Sequence, residues 1–148
     1  MEFGQRLFAS HEQPGCCIVE RETMTNGLTS LGGCLVLIAE DEPMIAMMLE
    51  DVVEQLGGVV AGVASSCSQA LGIIADQSVQ LVVLDVHLDG STSDAVLIAA
   101  EAKGIPVLVS SGSDSRALPE SFKGRPMLSK PWTMEEAERA LRSILDAP

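Results

Sequence analysis

Cys34-Leu-Val-Leu-Ile-Ala-Glu-Asp-Glu-Pro43 decides the fold. A short run, apolar at every position, ends abruptly on the carboxylates Glu40 and Asp41. Such near-continuous apolarity predicts a strand buried on both faces, as in a parallel sheet. The next segment is helical. Ile45, Met48, Leu49, Val52, Val53 and Leu56 fall at i, i+3, i+4, i+7, i+8 and i+11 on one face, while Glu50, Asp51 and Glu54 point elsewhere. Pro43 suits the first turn of that helix and Gly57 its end.

The same unit recurs along the chain. Val59-Val-Ala-Gly-Val63, Leu81-Val-Val-Leu84, Val107-Leu-Val109 and Met127-Leu128 are strand-length runs, most of them rich in β-branched residues. Helices are predicted near Ser68 to Ala75 and near Ser93 to Lys103, the latter stopped by Gly104 and Pro106. In the last segment Ala137, Ala140, Leu141, Ile144 and Leu145 share a face, opened by Thr133 and Glu136 at capping-box spacing. Strands alternating with helices imply right-handed crossovers, and so an α/β fold with a doubly wound, five-stranded parallel sheet. Residues 1–33 carry Gly4, Pro14, Gly15, Asn26, Gly27, Gly32 and Gly33 without a sustained period. They read as a flexible N-terminal extension, with Met24 as an alternative start, and residues 34–148 as the domain.

Composition narrows the function. The length of 148 residues suits one domain, and 47% apolar against 20% charged residues supplies a core. A net charge of -12 repels phosphate backbones and anionic membranes, so direct nucleic-acid or membrane-surface binding is not expected. The first 33 residues hold two basic and four acidic groups and the remainder seven and 17, so the excess acid belongs to the folded part. No apolar stretch approaches the roughly 20 residues of a membrane span. The start lacks the basic-then-apolar pattern of a secretory signal, so a cytoplasmic location is expected. Cys16, Cys17, Cys34 and Cys67 show no CxxC pair and no His at zinc-ligand spacing, and read as reduced thiols.

In doubly wound sheets the site lies beyond the carboxyl ends of the strands. Those ends here carry Glu40-Asp41, Asp85, Ser110-Ser111 and Lys130-Pro131. Carboxylates crowded into one cleft repel each other, and a hard divalent cation such as Mg²⁺ relieves this by taking oxygen ligands. A carboxylate there can also attack phosphorus, provided that cations neutralise the incoming oxygens. Lys130 offers an ammonium for that task, and Ser111 a hydroxyl.

With these residues in order, the sequence resembles the receiver domain of two-component response regulators. The resemblance is carried by Leu-Ile-Ala-Glu-Asp-Glu-Pro, Val-Leu-Asp-Val-His-Leu-Asp-Gly, Pro-Val-Leu-Val-Ser-Ser-Gly and Lys-Pro-Trp, between about Leu35 and Leu145. It implies a flavodoxin-like fold, with Asp85 as phosphoacceptor, Glu40 and Asp41 as the acidic pair serving Mg²⁺, and the backbone carbonyl of His87 as a third protein contact to the metal. Ser111 takes the place of the switch Ser or Thr, Lys130 that of the phosphate-binding lysine, and the Lys130-Pro131 bond is expected cis. Val109-Ser110-Ser111-Gly112-Ser113 is similar to the FATGUY subgroup of single-domain receivers, with Ser111 for Thr and with Val109 and Ser113 for aromatics. Met127 stands where many receivers carry Tyr or Phe.

The resemblance implies a histidine kinase or histidine phosphotransfer protein as donor, output through contacts with a downstream protein, and no turnover of an external metabolite. The partner face would lie near the last strand and helix. Two other readings use the same residues: a degenerate receiver that binds partners without phosphorylation, and a Mg²⁺-dependent phosphohydrolase of haloacid-dehalogenase type. The phosphohydrolase would want a second Asp two residues after the first, where this chain has His87.

Overall fold

Valine, leucine and isoleucine fill Leu35–Ala39 on both sides, so this strand, β1, has no face to give to water and lies inside a sheet. It leads into α1 (Pro43–Gln55), β2 (Val59–Ala64), α2 (Cys67–Asp76) and β3 (Leu81–Asp85). A small hairpin of β4 (His87–Leu88) and β5 (Ser91–Thr92) precedes α3 (Asp94–Ala102) and β6 (Val107–Ser111). A 3-10 turn at Glu120–Phe122, β7 (Met127–Ser129) and α4 (Met134–Asp146) complete the order. The computed structural model describes residues 31–112 and 117–146.

The main sheet runs β2-β1-β3-β6-β7 with neighbouring strands parallel, the flavodoxin-like order. Leu37, Leu84, Val96, Val109 and Phe122 pack on one face of the sheet with α2 and α3. Ile38, Leu49, Val83, Leu108, Trp132 and Leu141 pack on the other with α1 and α4. At the sheet edge, β2 leaves Val59 and Val63 exposed. Thr133 and Glu136 close the expected capping box, the Thr133 N–H donating to Glu136 Oε2 at 2.8 Å and the Glu136 N–H to Thr133 Oγ1 at 3.2 Å. No helix among the described residues is long and apolar enough to cross a membrane.

Four features differ from the sequence reading. Strand β6 runs on through Ser110 and Ser111, because both pair in register with β3 or β7 despite their polarity. The β4/β5 hairpin is additional, turned by Asp89 and Gly90 at φ 50° and 77°, the positive values that a two-residue hairpin loop requires. Leu31 is 1% exposed and its N–H donates to the Leu56 carbonyl at 2.7 Å, so the packed body reaches back past Cys34. Cys34 is disulfide-bonded rather than reduced, which an apolar run cannot reveal because cysteine and a small hydrophobe pattern alike. Residues 1–30, with Cys16, Cys17 and Met24, and Ser113 lie outside the described residues.

Candidate functional site

Three strands deliver the acidic residues and their lysine to one place. β1 ends at Ala39, so Glu40 and Asp41 leave the sheet together, β3 ends on Asp85 itself, and β7 stops one residue before Lys130. Pro43 starts α1 immediately afterwards, which puts Glu40 and Asp41 at a helix N-terminus where partial positive charge favours carboxylates. The Glu40 side chain turns back to accept the Glu42 N–H at 3.1 Å. Glu40 is 2% exposed and Asp85 8%, whereas Asp41 is open to solvent. Each of the three offers a carboxylate oxygen, all within 4.8 Å of one another.

Lys130 reaches over this cluster. Its Nζ lies 2.8 Å from Glu40 Oε2 and 3.0 Å from Asp85 Oδ2. Its own N–H donates to the Ser111 carbonyl at 2.8 Å, which ties the lysine's backbone to the end of β6. The Lys130-Pro131 peptide is cis, as the resemblance implies. Burial pushes the Glu40 carboxyl above the ordinary glutamate range, and the Asp85 charge adds to this against the opposing Lys130 and Glu42 contacts. Burial alone would lower the Lys130 ammonium, but hydrogen bonds to Glu40 and Asp85, with their charges, outweigh it and hold it above the ordinary lysine value. Lys130 is therefore charged at neutral pH.

The segment after β3 is folded around the same carboxylates. The exposed His87 donates its N–H to Asp85 Oδ1 at 3.3 Å, and the Asp89 N–H at the hairpin turn donates to Asp41 Oδ2 at 3.1 Å. Ser93, fully buried, donates its hydroxyl to the Asp85 carbonyl at 2.5 Å, with the Val86 carbonyl at 3.1 Å. Ser111 is 2% exposed at the end of β6, one residue beyond Ser110, the register partner of Asp85.

All the residues expected at the strand ends thus sit at one end of the sheet, and Glu40, Asp41, Asp85 and Lys130 share one cluster. The oxygen donor set fits a hard divalent cation: two buried carboxylates and an exposed one, with Asp85 Oδ1 on the side away from the ammonium. Two features escaped the sequence reading. The hairpin that leans on Asp41 was announced by Asp89-Gly90. Ser93 was announced by nothing, since Ser91, Thr92 and Ser93 look alike in a polar loop.

Comparison with known proteins agrees with this fold. The response regulator receiver domain model matches residues 36–142. The transcriptional regulatory protein MalR of Bacillus subtilis (strain 168) is 29% identical over 112 residues, 72% of this chain and 48% of MalR. The phyllosphere-induced regulator PhyR of Methylorubrum extorquens is 42% identical over 76 residues, 49% of this chain and 28% of PhyR. The chain therefore spans half or less of the length of these two relatives. The solution structure of SdrG from Sphingomonas melonis Fr1 superposes with a TM-score of 0.68 at 37% identity, covering 76% of this chain and 96% of SdrG. SdrG has also been solved in a BeF3-activated conformation.

Proposed function

The chain belongs to the response regulator receiver domain family, and from that premise we propose that it accepts a phosphoryl group on Asp85 and signals through protein contacts. The observation that carries the reading is Lys130 Nζ bridging the buried carboxylates of Glu40 and Asp85 in a cluster that Asp41 opens to solvent. An acidic cluster alone serves many ends. A charged lysine on the carboxylate that ends the central strand serves phosphoryl transfer, where charge on the equatorial oxygens must be met.

On this reading Asp85 attacks phosphorus through a carboxylate oxygen. The P–N bond of a donor phosphohistidine breaks as the new P–O bond forms, and the electron pair leaves with the imidazole. Lys130 exchanges its bond to Asp85 Oδ2 for one to a phosphoryl oxygen. Ser111 supplies a hydroxyl at the end of the neighbouring strand. Glu40, Asp41, Asp85 and the backbone carbonyl of His87 would hold Mg²⁺, which supplies further neutralisation of the phosphoryl oxygens when bound.

In this proposal residues 34–148 form the receiver, with Leu31 packed against it, and the residues before Leu31 form an extension. Its donor is a histidine kinase or a histidine phosphotransfer protein, and its output partner is a protein that reads the face around β7 and α4. Signalling without turnover of an external substrate is the general habit of the family. The net charge of -12 supports a partner other than nucleic acid or an anionic membrane, and the proposed donor is consistent with a cytoplasmic location. Among relatives named by structure, PhyR of Bartonella quintana is an anti-anti-sigma factor. We extend that role to this chain only as a candidate output class, a regulator of transcription through a protein intermediary.

Intact-mass measurement after incubation with acetyl phosphate tests the reading, with and without Mg²⁺, on the wild type and on Asp85→Ala. A single adduct of one phosphoryl group that needs both Mg²⁺ and Asp85 is expected. Absence of any adduct with acetyl phosphate and with a phosphohistidine donor would overturn it in favour of phosphorylation-independent binding.

A further inference from the structure

Ser93 is the residue before α3, where serine ordinarily caps a helix by accepting a backbone N–H with its side chain. Here it does not. The Ser93 side chain makes no capping bond; its hydroxyl instead donates backwards, to the carbonyls of Asp85 at 2.5 Å and Val86 at 3.1 Å. The backbone joins the same knot, since the Ser93 N–H donates to the Val86 carbonyl at 2.9 Å and the Ser93 carbonyl accepts from Val96 and Leu97 at 3.1 and 3.2 Å. Ser93 has no exposed surface. A lost hydroxyl could not be replaced by bulk water, and the Asp85 carbonyl would keep no partner on that side.

The location gives this bond a consequence beyond stability. Residues 85–93 leave the sheet, turn back through the β4/β5 hairpin and return, and Ser93 closes that excursion at its base. Within the excursion lie Asp85, His87 and Asp89, whose N–H groups or carboxylate face the acidic cluster. The torsion of the Asp85-Val86 peptide sets both where the Asp85 carboxylate points and where the chain emerges at His87. A pin on those two carbonyls therefore sets the cleft.

We infer that Ser93 is a positioning residue for the phosphoacceptor: its hydroxyl fixes the Asp85-Val86 backbone so that the Asp85 carboxylate and the chain at His87 converge on one site. This rests on the phosphoacceptor reading above, and it assigns to Ser93 a role that its place as a helix cap would not require.

The test separates donor from cap. Ser93→Gly keeps an acceptable N-cap and small volume but has no hydroxyl, whereas Ser93→Thr keeps the donor. Each is compared with the wild type by circular dichroism, by Mg²⁺ titration followed through Trp132, which is buried two residues from Lys130, and by the rate of phosphorylation from acetyl phosphate. For Ser93→Gly we expect a wild-type helical spectrum, a rate lower by about tenfold to a hundredfold, and weaker Mg²⁺ binding, with Ser93→Thr substantially restored. Wild-type rate and wild-type Mg²⁺ affinity in Ser93→Gly would overturn the inference and leave Ser93 as a cap. Should Ser93→Gly fail to fold, Ser93→Cys, close in volume and a weak donor, carries the same comparison. If the wild type takes no phosphoryl group from any donor, the phosphoacceptor reading fails by itself. The Mg²⁺ titrations then still decide, equal affinities refuting the pin.

Discussion

Lys130→Met removes one cation from between two carboxylates and leaves a side chain of similar length. At 2.8 and 3.0 Å the two ion pairs are each worth about 6 kcal/mol of Coulomb attraction at an effective dielectric of about 20. Burial takes much of that back: the Lys130 side chain is 15% exposed, that of Glu40 1% and that of Asp85 11%. Deleting one partner of such a group strands the other charges, at a cost of about 3–5 kcal/mol. Glu40, with its raised carboxyl, takes up part of that cost by protonating, so the lower end applies to a metal-free sample. For a domain of this size that is a fall of about 10 °C or more in the thermal midpoint. The assay is circular dichroism melting in EDTA, then in Mg²⁺, because a bound cation would return the missing charge and stabilise the variant more than the wild type. A metal-free midpoint within about 2 °C of the wild type would refute the claim that Lys130 holds the buried carboxylates together.

The stretch before β7 supports two more expected outcomes. Phe122, with no exposed surface, is the aromatic anchor of the 3-10 turn in the core beneath α2 and α3. Phe122→Ala should cost about 3–5 kcal/mol in urea unfolding, and a loss below about 1 kcal/mol would mean that the turn is a superficial strap. The Ser121 hydroxyl donates to Asp94 Oδ1 at the start of α3, and this contact, then the Thr92 side chain, hold the Asp94 carboxyl below the usual aspartate value. A depressed carboxylate contributes stability that is present above its unfolded pKa and lost as pH falls through the folded one. The Ser121 amide resonance should accordingly titrate below the ordinary aspartate range, and Asp94→Asn should abolish that step. A step persisting in Asp94→Asn would assign it elsewhere.

The sheet was legible because its interior strands are short, rich in β-branched residues and apolar at every position, as in Leu81-Val-Val-Leu84, which favours a doubly covered strand over a buried helix. The carboxylates were legible because charge at the end of such a run must be answered by something. What remained hidden is polar residues whose use depends on tertiary neighbours. Ser110 and Ser111 continue β6 only because β3 and β7 offer ladders there. Glu120–Phe122 forms a turn around a phenylalanine whose burial no periodicity announces. Ser93 matches Ser91 in sequence, yet the first is fully buried and the second exposed. Periodicity reports which face is dry, and it cannot report which hydroxyl meets which carbonyl.

The placement of Lys130 links the proposed chemistry to the proposed output face. Its side chain engages Asp85 and Glu40 while its backbone N–H is bonded to the Ser111 carbonyl, so one residue joins the proposed phosphoacceptor, the end of β6 and the entry to α4. A phosphoryl group on Asp85 would draw the ammonium towards its oxygens and away from Glu40. Glu40, 2% exposed, would then need another cation or a proton. The direction of travel is therefore set by charge: Lys130 can move with the phosphoryl group only if a cation or a proton replaces it at Glu40, and the backbone shift this allows falls on β7 and the turn into α4. In Glu40→Gln that constraint is gone, because a neutral amide can lose the ammonium at little cost. Compared at equal phosphoryl occupancy, so that the loss of a Mg²⁺ ligand does not enter, phosphorylated Glu40→Gln should then show the shifted amide resonances of Ser129 to Thr133 at lower Mg²⁺ than the phosphorylated wild type. An unchanged Mg²⁺ requirement would separate Glu40 from the switch and leave it a purely structural partner of Lys130.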